Sequence, residues 1–368
     1  MRPTYNEINL EALRYNYSQI KTLLPQKATL LSIVKANAYG HGSVQIAHEL
    51  EKLGESYFGV ATVKEALELR DQNIKSNILI LGSFFDGDID DIAWHRFTAV
   101  CYRKDQLEKL NSYANSARIN LTVHIKFDTG MGRLGFEWTD AEEIAKFLLL
   151  KKNLVIEGLM SHLACSEEEV DFNSEQLKRF EIVRKIFKKN GIKPKYFHIS
   201  NSGAILRKLS PSCNLFRPGL ALYGSYTSPE LKKHLDLKQL MNLRSEITQI
   251  KDLEAGRSIS YGRRFITSKK TRVAIIPIGY ADGYDRRLSN KGRVIIKNKY
   301  ASVVGTVCMD MLAIDITGIK GVKIRDRVTL TGYDGNKFIS LDDIAEAIGT
   351  IPYEVMCGIS ERVIKKYI

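Results

Sequence analysis

No stretch of the 368-residue sequence approaches the roughly 18 consecutive apolar residues that a membrane span needs. The longest candidate, around Ile144 to Leu150, is short and bounded or broken by Lys146, Lys151 and Lys152. The start, MRPTYNEINLEALRYN, lacks an apolar core followed by a cleavage site, so no secretory signal is expected and the cytoplasm is the default location. Cysteine is sparse. Cys101, Cys165, Cys213, Cys308 and Cys357 form no CxxC or other close pair, which argues against a disulfide framework and structural zinc and leaves buried thiols as the simple reading. There is also no long basic run interleaved with aromatics. The formal charge of +13 is spread along helix-like segments such as KRFEIVRKIFKKN, so sequence-specific nucleic-acid binding is not expected. Low-complexity segments are absent, as are internal repeats beyond a strand–helix unit. What remains is a composition of 44% hydrophobic and 26% charged residues, ordinary for a soluble globular protein. The length suits one large domain plus a smaller one.

From about Leu30 to Leu220 short apolar runs alternate with helix-patterned segments. The runs are LLSIVK, YFGVAT, ILILGS, TAVCY, VHIKFD, VIEGLMSH, YFHISN and NLFRPG; between them lie stretches such as SVQIAHELEKLG, VKEALELRDQ and DQLEKLNSYANSA. Thr139 and Asp140 ahead of Glu142 and Glu143 mark a helix start, with a cap and acids in the first turn. Strand then helix, eight times over, predicts an α/β (β/α)8 barrel of the TIM type; an open doubly wound sheet is the alternative. After about Leu235 the segments SEITQIKDLE, RVAIIPIG, GRVIIKNKYASVVGTV and DRVTLTGYD are β-rich and punctuated by Ala-Asp-Gly and Tyr-Asp-Gly turns, with little helical periodicity before LDDIAEAIG. The expected division is a barrel over 11–235 and a mainly β domain over 236–368, with residues 1–10 packing on the latter.

Active sites of such barrels lie at the C-terminal strand ends. Strand one ends with Lys35, strand five with Lys126 and Asp128, strand six with His162 and strand seven with Asn201 and Ser202; strand eight carries Arg217 before Pro218 and Gly219. A lysine emerging from a buried strand is partly desolvated, which lowers its pKa and suits Schiff-base chemistry, although position alone equally fits a lysine snorkelling at a sheet rim. The loops after strands seven and eight offer a hydroxyl and backbone N–H groups, a suitable phosphate cradle. A reactive lysine opposite such a cradle implies a phosphorylated carbonyl cofactor.

These residues sit in motifs that resemble those of bacterial alanine racemases. IVKANAYGHG is similar to that family's pyridoxal-phosphate attachment motif, and HIKFDTGMGRLG, GLMSHLA, HISNSG, FRPGLALYG, SISYGRRF, IPIGYADGY, GTVCMDM and IPYEVMCGIS follow in family order over essentially the whole chain. The resemblance implies a racemase interconverting L- and D-alanine on pyridoxal 5'-phosphate and supplying D-alanine for the cell wall. Lys35 would hold the cofactor and act as one base, and Tyr261 would be the other, contributed across a homodimer interface. A tyrosine ordinarily titrates near about 10, high for a general base, and His162 would hydrogen-bond Tyr261 to favour the phenolate. Arg217 would face the pyridine nitrogen and keep it unprotonated, restraining transamination.

By the same resemblance Tyr39, Ser202, Gly219, Leu220 and Tyr353 would bind the phosphate, with Asn201 beside them. Arg133 and the backbone N–H of a partner's Met309 would meet the substrate carboxylate, while Tyr280 and Asp310 line the entrance. Lys126 is a candidate for carbamylation, which would make it an anion that orients Arg133; a plain Lys126–Asp128 ion pair is the simpler alternative. One departure lies at Glu361-Arg362-Val363-Ile364-Lys365, where the family usually continues ERVPR, and it puts only the C-terminal turn in question. Three rival functions stay open: a racemase of this fold for serine or a basic amino acid, a non-catalytic pyridoxal-phosphate carrier, and a related barrel decarboxylase.

Overall fold

The computed structural model describes residues 2–168, 170–210 and 212–368. Eight parallel strands form the expected barrel. Its strands are Ser32–Ile33 (continuing Thr29–Leu30), Tyr57–Val60, Asn77–Ile80, Thr98–Cys101, Leu121–Asp128, Leu154–Met160, Tyr196–His198 and Leu215–Phe216. The first seven pair in sequence order. The eighth closes the ring: Leu215–Phe216 pairs with Thr29–Leu30, and Arg217 N donates to Ser200 O at 3.1 Å. Closure sets aside the open-sheet alternative. Strands Tyr57–Val60 and Thr98–Cys101 are buried at every position, as strands covered on both faces must be.

Local signals account for the helices between them. Val63–Asp71 opens on a reciprocal capping box of Thr62 and Glu65. Lys104–Ala117 buries Gln106, Leu107, Leu110 and Ala114, a spacing that puts one stripe on the barrel. Helix Ala141–Leu149 carries Glu142 and Glu143 in its first turn as expected, but the cap is not made: Trp138–Asp140 forms a 3-10 turn, and the Asp140 side chain accepts no capping bond. That turn already leads the chain into the helix, so the side chain is not aimed at the free amides.

The β domain is built on a six-stranded sheet in the order Lys299–Ser302, Arg293–Ile296, Arg327–Thr329, Met241–Glu246, Tyr5–Ile8 and Ile364–Tyr367. A three-stranded sheet of Gln249–Leu253, Thr271–Ile276 and Leu312–Asp315 accompanies it. The departure near the C-terminus is more than a turn. Ile364–Tyr367 pairs parallel with Tyr5–Ile8, and the Tyr367 hydroxyl donates to His41 O at 3.1 Å, beside the Tyr39 loop. Helix Pro352–Gly358, unexpected from periodicity, brings Tyr353 to the barrel mouth, where its ring meets Tyr39 at 5.4 Å between centroids. The thiols are also less uniform than expected: Cys101 and Cys213 are buried, Cys165 and Cys308 partly so, and Cys357 is exposed.

Candidate active site

A cavity of about 440 Å³ opens at the C-terminal ends of the barrel strands. It brings together Lys35, Tyr39, Lys126, Arg133, His162, Asn201, Ser202, Arg217, Gly219 and Tyr353. A second cavity of about 420 Å³ lies in the β domain among chiefly apolar side chains such as Leu243, Leu288, Leu330 and Ile348. Of the expected site residues only Tyr280 reaches it.

Lys35 sits at the start of an unusual backbone segment. Ala36, Asn37, Ala38 and Tyr39 all have φ between 50° and 53°, a left-handed turn built without glycine. Such residues cost roughly 1–2 kcal/mol each, so the surroundings must hold them. Glu65 does so by accepting from Ala36 N at 2.7 Å, and the Asn37 side chain accepts from Ser43 N at 2.9 Å. The turn presents the Tyr39 phenol to Gly219, where any Cβ would lie 2.7 Å from its hydroxyl. Burial, reinforced by the Arg133 charge, lowers the Lys35 pKa against the pull of Glu65. A larger share of the amine is therefore free base near neutral pH.

Among the described residues that line it, the cavity gathers positive charge without a matching acid. Burial and the neighbouring Arg217 and Arg133 push Lys126 down to about 8. Asp128, on the same strand, gives its oxygens to the amides of Gly130, Met131 and Arg133 at 2.8–2.9 Å. Among the described residues it makes no ion pair with Lys126. Arg217 is buried, and burial brings it to about 10, still protonated at neutral pH. Its guanidinium donates to Ser161 O, Ile199 O, His162 Nδ1 and His198 Nδ1. Burial and then Arg217 hold His162 well below the usual imidazole range. Because Nδ1 of neutral His162 accepts from Arg217 at 3.1 Å, its proton sits on Nε2. On the opposite side the Ser202 hydroxyl accepts from Gly219 N at 2.9 Å and Ala221 N at 3.3 Å, while Asn201 caps the short helix Ser202–Leu206. The Leu220 side chain is fully buried, which leaves only its backbone for a binding role.

Other expected residues lie away from this cavity. Tyr261 is 73% exposed and Met309 52% exposed, both on the β domain and neither lining the cavity with Lys35. The Tyr261 segment is held from behind: Thr306 donates to Tyr261 O at 2.7 Å, and Ser260, at φ 64°, donates to Thr306 O at 2.5 Å. Asp310 is also exposed and is bound by Arg362 at 2.6 Å. Behind Arg217 lie His198, then His124 of the Lys126 strand, then Glu157, and His198 and Glu157 have no counterpart among the expected site residues. Period-two alternation puts His124 on one strand face with Lys126 and Asp128, but nothing local indicates its partners.

A family model described as "Alanine racemase, N-terminal domain" matches residues 8–227, and "Alanine racemase, C-terminal domain" matches residues 240–367. The chain belongs to the alanine racemase family. It is 42% identical over 374 residues to the alanine racemase of Geobacter sulfurreducens, covering 100% of this chain and 97% of that protein. Among solved structures, the alanine racemase of Clostridium difficile 630 superposes with a TM-score of 0.93 at 36% identity, over 100% of this chain and 96% of that one. The alanine racemase of Bacillus anthracis with bound L-Ala-P gives 0.93 at 33% identity, over 100% and 95%. Alanine racemases are isomerases, and matches to both domain models set aside the lone-barrel carrier and the decarboxylase. No helix among the described residues is long and apolar enough to cross a membrane.

Proposed function

We propose that the protein interconverts L- and D-alanine on pyridoxal 5'-phosphate by a two-base mechanism, as a cytoplasmic homodimer supplying D-alanine for peptidoglycan synthesis. We read its chain as a barrel over 11–235 and a β domain over 236–368, with 1–10 joined to the latter through strand Tyr5–Ile8. The observation that carries the functional reading is a desolvated Lys35 amine in a cavity with an excess of cations, facing a corner of hydroxyls and amides. Such a cavity fits an anionic ligand with a carbonyl group. Tyr39, Tyr353, Ser202 and the backbone at Gly219 and Leu220 would hold its phosphate, with Asn201 fixing the helix start. When bound, pyridoxal phosphate supplies an aldehyde for amine condensation and a conjugated ring that makes the substrate Cα–H acidic.

Racemisation must remove a proton from one face of Cα and return one to the other. Lys35 Nζ would serve the first face and the Oη of the partner subunit's Tyr261 the second. The His162 Nε2–H is free to donate to that phenolate, which stabilises it relative to the phenol. Arg133 and the amide of the partner subunit's Met309 would orient the substrate carboxylate, and Tyr353 narrows the pocket around a methyl side chain. Lys126, with a pKa brought into the physiological range, has enough neutral amine to take up CO2, and the resulting anion would offset Arg133 and Arg217. Purified protein should racemise alanine far faster than serine or lysine in side-by-side assays, and its native mass should carry one extra CO2 that Lys126→Ala removes. Equal or faster turnover of serine or lysine would reassign the substrate.

Arg217 would direct N–H groups at the pyridine nitrogen and leave it unprotonated. Replacing it by glutamate reverses that polarity. Arg217→Glu protein is expected to racemise more slowly while transamination rises relative to racemisation. An unchanged partition between the two products would remove Arg217 from this role.

A further inference from the structure

Arg217 is held from behind by a chain of side chains that runs away from the cavity through the barrel. Its guanidinium is 2.7 Å from His198 Nδ1, His198 Nε2 is 2.8 Å from His124 Nδ1, and His124 Nε2 is 3.2 Å from a Glu157 oxygen. Tyr57 donates to the same oxygen at 2.9 Å. Both histidines are fully buried, whereas the Glu157 side chain is 22% exposed.

The chain has a direction. A guanidinium only donates, so His198 Nδ1 accepts. The proton of neutral His198 therefore lies on Nε2 and is donated to His124 Nδ1. His124 in turn carries its proton on Nε2, pointing at the carboxylate. Protonating either ring would set two N–H groups head to head. Burial acts in the same sense on both rings. Burial, then Arg217, with His124 and Lys126 adding, holds His198 well below the usual imidazole range; burial also lowers His124, with Glu157 opposing. Burial alone would raise Glu157, but His124, Tyr57 and the nearby Lys195 keep it lowered and charged, and Tyr196 packs against His124 without bonding to it.

The backbone is adapted to this arrangement at two points. Val123 pairs with Ile156 and His124 with Gly158, so Glu157 is the extra residue of a β-bulge, which re-aims its side chain. At Gly158 a Cβ would lie 2.6 Å from His124 Nδ1 and 2.7 Å from two carbons of the ring. Only glycine leaves that ring its place.

We propose that His198, His124 and Glu157 are positioning residues for Arg217, forming a one-way relay that gives the guanidinium a counter-charge from the far end of the barrel. This rests on the reading of Arg217 as the partner of the cofactor ring nitrogen. A carboxylate set directly on Arg217 would stand in the cavity and compete for the N–H groups meant for that nitrogen. Two neutral imidazoles transmit the pull and bring no acid to the site.

The test uses the cofactor-loaded enzyme labelled with 15N-histidine. Solid-state NMR should show His198 and His124 as neutral Nε2–H tautomers between about pH 5 and 8, the range where an ordinary histidine changes charge. A protonated ring or an Nδ1–H tautomer at either position overturns the relay, whatever the role of Arg217. The second arm compares His124→Phe, which fills the space and breaks the link, with His124→Gln, which can still accept from His198 and donate to Glu157. His124→Phe should lose roughly tenfold to a hundredfold in kcat, the effect of a charge-assisted hydrogen bond, and release pyridoxal phosphate faster on dialysis. His124→Gln should regain most of both. Wild-type kcat and cofactor retention in folded His124→Phe, or equal impairment of the two variants, would reduce the chain to packing. Loss of the Arg217 reading shows separately, as an unchanged product partition in Arg217→Glu beside an intact tautomer spectrum.

Discussion

Lys35→Ala protein is expected to have no measurable racemase activity and no borohydride-reducible attachment of pyridoxal phosphate. The expected loss exceeds the roughly 100- to 10,000-fold that general acid–base catalysis contributes by itself, because in the proposed mechanism one residue serves as both attachment point and base. Lys35 is the amine whose surroundings prepare it for both tasks. Burial and Arg133 lower its pKa, and the left-handed turn from Ala36 to Tyr39 fixes the strand end from which it projects. Lys126 is the other amine in the cavity, and its proposed carbamate would make it non-nucleophilic. A reducible linkage remaining at the active site of Lys35→Ala would transfer the assignment to Lys126. Added methylamine should restore some cofactor-dependent exchange of the Cα proton without restoring racemisation at the wild-type rate.

The second large effect concerns the separation of Tyr261 from the cavity. Within one chain the exposed Tyr261 and Met309 stand outside the cavity that holds Lys35, so a two-base site requires a second copy. Homodimers of Lys35→Ala and of Tyr261→Phe should each be nearly inactive. A mixed dimer has two different sites: one has lost both bases, and the other keeps Lys35 from one chain and Tyr261 from its partner. Mixing should therefore recover up to about half of wild-type activity per mixed dimer, since proton transfer on two faces needs only one intact site. If both bases came from the same chain, every site in the mixed dimer would lack one of them. No recovery in samples shown by mass to contain mixed dimers would rule out the shared site.

Much of the barrel and part of the site were legible in the amino-acid sequence, because their signals are local. A buried strand advertises itself by a short apolar run, a helix by its stripe and cap, and eight such pairs in order leave few topologies. Lys35, Lys126, His162, Ser202 and Arg217 could be grouped before any contact was known, since parallel strands all deliver their C-terminal ends to one face. Closure of the ring by Leu215–Phe216 on Thr29–Leu30 was implied by the count of strands and is realised in the hydrogen bonds.

Other features are decided by the tertiary structure alone. Four consecutive positive φ values are locally unfavourable for alanine and tyrosine, so nothing in KANAY predicts them; Glu65, from the next strand–helix unit, and the packing of Tyr39 on Gly219 make them stable. Tyr353 reaches the barrel mouth because Pro352–Gly358 folds back from the other domain. The terminal strand Ile364–Tyr367 acquires its meaning from Tyr5–Ile8 and His41, more than 300 residues earlier in the chain. Glu157 meets His124 only through a bulge, and a bulge shifts by one residue the alternation from which a sequence reading infers direction. Local signals in the chain therefore mark which residues stand at the strand ends. Which of them face one another, and through what they hold Arg217 in place, depended on ring closure and register, contacts between segments whose separation along the chain carries no local signal.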